Sequence, residues 1–143
     1  MKEFWISEKA SRVFEIANAE QKTVQPHIAE IIKQINPKGL LDYGCGDSFI
    51  SHLISKDIEI GLYDINLVEV QKAATHLTDR ECKLFNSSEE IYNDYYDCIM
   101  FSFVLICLTS KEEFETILRG FKKFVTIQPP PNTSAPTKHF DGF

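Results

Sequence analysis

The chain has 143 residues, 43% of them hydrophobic and 25% charged, with a formal net charge of −6 and a pI near 5.2. That length suits one domain with a real core, spanning 1–143, and the hydrophobic share excludes a disordered chain. The acidity, with no Lys/Arg-rich run to offset it, argues against a nucleic-acid phosphate groove. Tracts such as FSFVLICL are too short to span a bilayer, and the polar start MKEFWISEK has no signal-peptide pattern, so a cytoplasmic protein without membrane partners is expected.

Along the chain, helical and strand patterns alternate, which predicts an α/β domain with a mainly parallel sheet covered on both faces. Residues 1–36 carry two N-terminal helices. The first, 4–19, holds an aromatic cluster at Phe4, Trp5 and Phe14. In the second, Ile28, Ile31, Ile32 and Ile35 recur at i, i+3, i+4, i+7 and predict one apolar face. Pro26 suits its first turn, and Asn36-Pro37-Lys38-Gly39 ends it. The core, 37–128, then begins with a strand at 40–43, a short helix at 48–55 and a second strand at 58–63.

Val70, Ala73, Ala74 and Leu77 mark the next helix, and a third strand at 83–85 has the polar ends of an edge strand. Ser88 can cap a brief helix through Ile91. The continuous apolar run at 98–104 is what a central parallel strand requires. Ser110 and Glu113 form a capping box for the last helix, with Phe114, Ile117, Leu118 and Phe121 on one face, and a fifth strand follows at 124–127. The remainder, 129–143, is an irregular tail holding four of the six prolines.

Chemistry concentrates where the first strand ends. In LLDYGCGDSF, an apolar strand runs into Asp42 and two glycines spaced one apart, Gly44 and Gly46. Lacking Cβ, they let the backbone turn sharply and approach a bound group closely. A second acid, Asp64, lies 18 residues after Gly46 at the end of the second strand, a spacing that suits a carboxylate reaching the ribose hydroxyls of a nucleotide-like cofactor. A dinucleotide fingerprint needs a third glycine where Phe49 stands, so an NAD-dependent oxidoreductase is the weakest alternative.

The stretch Asp42-Tyr43-Gly44-Cys45-Gly46-Asp47-Ser48 resembles motif I of the class I S-adenosylmethionine-dependent methyltransferases, D-x-G-C-G-x-G, with Ser48 in place of the last glycine. The resemblance extends over 28–128 and implies a three-layer α/β/α Rossmann-like fold binding S-adenosylmethionine at the carboxyl ends of the first two strands. It implies that Asp42, Gly44, Cys45 and Gly46 form the cofactor loop, that Asp64 holds the ribose hydroxyls, and that Ile65 packs on adenine. FNSSEE offers Asn86, Ser87 or Ser88 to the adenine amine, with Ser87 favoured. Tyr96-Asp97-Cys98-Ile99-Met100-Phe101-Ser102 matches the family's fourth-strand segment and places Phe101 and Ser102 beside the methionine moiety, with Phe103 and Val104 in the core or substrate pocket.

The implied activity is methyl transfer to a small-molecule acceptor. No pattern names a general base or other catalytic residue. His27, His52 and His76 fall on predicted helices as surface or satisfied groups, and His139 lies in the tail. Cys45, Cys82, Cys98 and Cys107 lack metal-ligand spacing and read as buried reduced thiols without a metal. The family's sheet, 3-2-1-4-5-7-6, has two strands after the fifth, for which this chain has no room, so the expected order is 3-2-1-4-5 with the C-terminal strands missing. A truncated or non-catalytic cofactor-binding module is therefore the main alternative function. The open edge of the fifth strand predicts a homodimer paired through it.

Overall fold

Helix α1 (Gln25–Ile35) starts with proline in its first turn and stops at Asn36, whose left-handed conformation (φ 49°, ψ 57°) returns its N–H to the Ile32 carbonyl. Ile28 and Ile32 are buried and Ile35 is half-buried, but Ile31 is 47% exposed, which corrects the expected four-isoleucine face. At about 100° per residue the buried stripe centres between Ile28 and Ile32, so Gln25 falls inside it and Ile31 on its far shoulder.

The computed structural model describes residues 6, 9, 12, 22–46, 50–91, 96–102, 111–119 and 123–127, with the backbone alone at 102, 113 and 123–127. The anticipated helix at 4–19 falls almost wholly outside them, as do Phe103, Val104, Cys107, Ser110, Phe121, His139 and the Pro-rich tail.

The strands are β1 (Gly39–Tyr43), β2 (Glu59–Tyr63), β3 (Cys82–Leu84), β4 (Cys98–Ser102) and β5 (Lys123–Ile127). They pair in parallel in the expected order β3-β2-β1-β4-β5. β1 is central and buried at every position. Helices α2 (Leu67–His76), α3 (Ser88–Ile91) and α4 (Lys111–Arg119) occupy the crossovers. β3 begins one residue earlier than the sequence pattern suggests, and Phe85, just past its end, is buried and donates its N–H to the Leu62 carbonyl. β5 likewise begins one residue early.

Alternation along the strands sorts side chains into two cores. On one face, Leu40, Ile60, Leu62, Cys98 and Met100 pack with Ile28 and Ile32 of α1 and Val70, Ala73 and Leu77 around α2. On the other, Leu41, Tyr43, Ile99 and Phe101 pack with Phe85, Ile91, Tyr96 and Ile117. Gly61 faces that second layer. A Cβ there would come within 2.7 Å of the Tyr96 ring and 2.8 Å of the Phe85 ring.

The expected helix at 48–55 is, among the described residues, only a 3-10 turn, Ile50–Leu53. Within it Ser51 is buried and sends its hydroxyl to the Asp42 carboxylate. Arg80 closes the segment that follows, donating to the carbonyls of Ile54 (2.8 Å) and Ser55 (2.7 Å) and to that of Ile58. At the amino ends of the strands, the Asp97 carboxylate accepts the N–H groups of Lys38 (3.2 Å) and Gly39 (2.9 Å), tying β4 to β1. No helix among the described residues is long and apolar enough to cross a membrane.

Candidate functional site

Beyond Tyr43 the chain turns through Gly44 and Gly46, both at positive φ (74° and 51°), where a side chain would be strained. Each step of this loop is fastened to β2. The N–H groups of Gly44 and Cys45 converge on the Tyr63 carbonyl at 2.7 and 2.9 Å. The Gly46 N–H donates to Asp64 Oδ2 at 2.9 Å, and the other carboxylate oxygen accepts the Asn66 N–H at 2.8 Å. Asn66 in turn caps α2, its side-chain oxygen accepting from Val68 N–H at 3.2 Å. One carboxylate therefore joins the glycine loop to the start of a helix.

Asp64 is only 4% exposed, deeper than a residue on the sheet's rim. Burial raises its carboxyl above the ordinary value near 3.8, the N–H donors of Asn66 and Gly46 oppose that rise, and the nearby charge of Glu69 adds to it. Two more acids are buried in this part of the fold. Asp42, 2% exposed, accepts the Ser51 hydroxyl at 3.2 Å. Glu69, also 2% exposed, lies in the first turn of α2 and meets Lys72 at 2.8 Å. The Cys45 thiol, buried in the loop, donates to the Gly46 carbonyl at 3.3 Å.

Tyr43 and Tyr63, side by side at the strand ends, bring their rings to 4.8 Å, and the stack continues from Tyr43 to Phe101 (5.6 Å) and on to Phe114 (5.8 Å). Phe101 is fully buried in this stack, on the face opposite Asp42. Ser102 ends β4, while Ile65 and Ser87 are half-buried on the loops after β2 and β3. The geometry thus joins Gly46 directly to Asp64 and Gly44 and Cys45 to the neighbouring Tyr63 carbonyl, keeps Asp42 in β1 just before the loop, and leaves Ile65, Ser87 and Ser102 on separate loops and a strand end. Asn66 was missed in the sequence, although Asn66 followed by Glu69 ahead of an apolar run is a legible helix-start signal. Among the described residues no group of three or more metal-ligating side chains gathers.

No family model and no curated protein matches the sequence. Solved structures do match in fold. The 16S rRNA methylase ArmA superposes with a TM-score of 0.67 at 17% identity, over 99% of this chain and 75% of that one. The plantazolicin methyltransferase BpumL, in complex with a substrate analogue and SAH, gives 0.63 at 14% identity over 88% and 56%. The N-methyltransferase NodS from Bradyrhizobium japonicum, in complex with S-adenosyl-L-homocysteine, gives 0.54 at 13% identity over 71% and 53%. The chain spans 61% and 58% of two further matched methyltransferase structures, less than two thirds of their lengths. The fold is that of the class I S-adenosylmethionine-dependent methyltransferases.

Proposed function

We propose that the chain binds S-adenosylmethionine at the carboxyl ends of β1 and β2 and acts as a cytoplasmic methyltransferase on a small-molecule acceptor. The observation that carries this reading is the double-glycine turn at positive φ, fastened to Asp64 across 18 residues of sequence. Such a turn leaves backbone open to close approach by a ligand. Each Asp64 oxygen accepts one backbone N–H, and a carboxylate oxygen has a second lone pair with which to receive a ribose hydroxyl. Ile65 and Ser87 suit the adenine and Ser102 the methionine side, whereas Phe101, expected there as well, is fully buried in the aromatic stack opposite Asp42 and supports the strand end from behind. Asp42, buried at the end of β1, suits the ammonium of the cofactor's amino-acid end.

S-adenosylmethionine supplies a methyl group already activated by its sulfonium. The chain's part is to hold the acceptor atom in line and keep water out. The net charge of −6 favours a small acceptor over RNA, although an rRNA methylase shares the fold. Among the described strands β5 pairs with β4 alone, and a second copy is the proposed partner for its free edge, giving a dimer visible by light scattering.

Calorimetry with S-adenosylhomocysteine and NAD, followed by transfer of labelled methyl to small-molecule and RNA pools, tests the reading. Micromolar S-adenosylhomocysteine binding without NAD binding, and label in the small-molecule pool, is the expected result. NAD binding alone would overturn it. Cofactor binding with no transfer to either pool would favour the non-catalytic module, and label in RNA would replace the acceptor class.

A further inference from the structure

The buried residues of α1 are Gln25, Ile28 and Ile32. Gln25 is 3% exposed, and its side-chain Nε2 has no hydrogen-bond partner among the described residues. Buried polar groups are almost always paired, so a desolvated donor with no acceptor needs an explanation. Its place in the fold supplies one. Only Asn36, Pro37 and Lys38 separate α1 from β1, so the helix runs back along the sheet antiparallel to the strand. Its 11 residues rise about 16 Å and the five residues of β1 about 17 Å, which brings Gln25 level with the carboxyl end of β1. Ile28, one turn further on, belongs to the same layer as Leu40, two residues before Asp42 on the same face.

We infer that the Gln25 carboxamide donates through Nε2 to the carboxylate at the amino-acid end of the bound cofactor, an assignment that rests on the cofactor reading above. That end of the ligand carries one carboxylate and one ammonium. A neutral donor from α1 and the Asp42 carboxylate from β1 are complementary to the two. Burial strengthens such a bond by excluding water, and a helix set against the sheet holds the amide in place.

The test uses the full chain carrying Gln25→Met, which keeps the length and removes the donor, and Gln25→Glu, which keeps the shape and replaces the donor with a charged acceptor. Calorimetry compares S-adenosylhomocysteine with 5′-methylthioadenosine, which has the nucleoside and the sulfur but no amino-acid end. Gln25→Met should bind S-adenosylhomocysteine about ten- to a hundredfold more weakly and 5′-methylthioadenosine as well as before, and Gln25→Glu should lose at least as much of the former. The ligand-free Gln25→Met protein should melt no lower than the parent, because no bond is lost. Retained S-adenosylhomocysteine affinity in a folded variant, or equal losses for both ligands, would overturn the inference while leaving the cofactor reading in place. A lower melting temperature in the ligand-free Met variant would also overturn it, by giving Gln25 a structural bond. Failure of the parent protein to bind S-adenosylhomocysteine would remove the cofactor reading itself.

Discussion

Asp64 offers the sharpest separation of stability from function. Replaced by Ala, it leaves the Gly46 and Asn66 N–H groups buried without their shared acceptor. An unsatisfied buried donor costs about 1–3 kcal/mol, so partial relaxation sets the loss at about 2–4 kcal/mol and the fall in melting temperature at roughly 6–20 °C. Asp64→Asn behaves differently. The amide keeps one acceptor oxygen but turns its NH2 toward the other backbone N–H, so one of the two bonds is lost. It also has no charge to desolvate, whereas burial raises the carboxyl's folded pKa above its unfolded value near 3.8. A carboxyl raised on folding contributes stability that is fully present below the unfolded pKa and is lost as pH rises through the folded one. The Asn variant should therefore melt below the parent but above the Ala variant, with its deficit smallest at pH 7–8 and widening as the pH falls toward 3.8. Both variants should bind S-adenosylhomocysteine more weakly, by roughly tenfold or more, if Asp64 makes the charge-assisted ribose contact proposed above. Melting curves from pH 4 to 8 with parallel calorimetry provide the check. An Asn variant whose deficit shrinks as the pH falls from 8 to 4 would show that the backbone bonds outweigh desolvation and refute the argument.

Gly61→Ala forces a Cβ to within 2.7 Å of the Tyr96 ring; overpacking of this kind costs about 1–3 kcal/mol, and an unchanged urea midpoint would mean that the ring pair yields freely. Arg80→Lys removes the fork that spans the Ile54, Ser55 and Ile58 carbonyls, and should lower stability by about 1–3 kcal/mol, allowing for the partly exposed setting; chemical denaturation at low and high salt will measure it. Cys82, expected to be buried, is only half-buried at the edge strand, where partial burial still raises its thiol, and Cys98 is fully enclosed. Iodoacetamide at pH 8 should accordingly label both slowly in the native protein and rapidly in urea, with mass spectrometry locating the adducts; fast native labelling of Cys98 would contradict its burial.

Much of the architecture was legible in the sequence because it depends on local chemistry. The apolar run at β4 announced a strand buried on both faces, Pro26 and Asn36 marked the ends of α1, and the alternation of elements implied a parallel sheet, whose order the family resemblance supplied. The glycine turn was legible for the same reason: Gly44 and Gly46 occupy backbone conformations that other residues resist, so composition alone marked the loop. What escaped the sequence depends on which distant groups meet. Periodicity put Ile31 in the core, but the angle at which α1 meets the sheet admitted Gln25 and turned Ile31 outward. Spacing placed Asp64 at the end of the second strand. Only the tertiary structure buried it as the shared acceptor of Gly46 and Asn66, and only there does Arg80 reach carbonyls 22 to 26 residues away. A hydrogen-bond partner far along the chain leaves no periodic trace, because its position is set by the packing of whole elements rather than by the preferences of neighbouring residues.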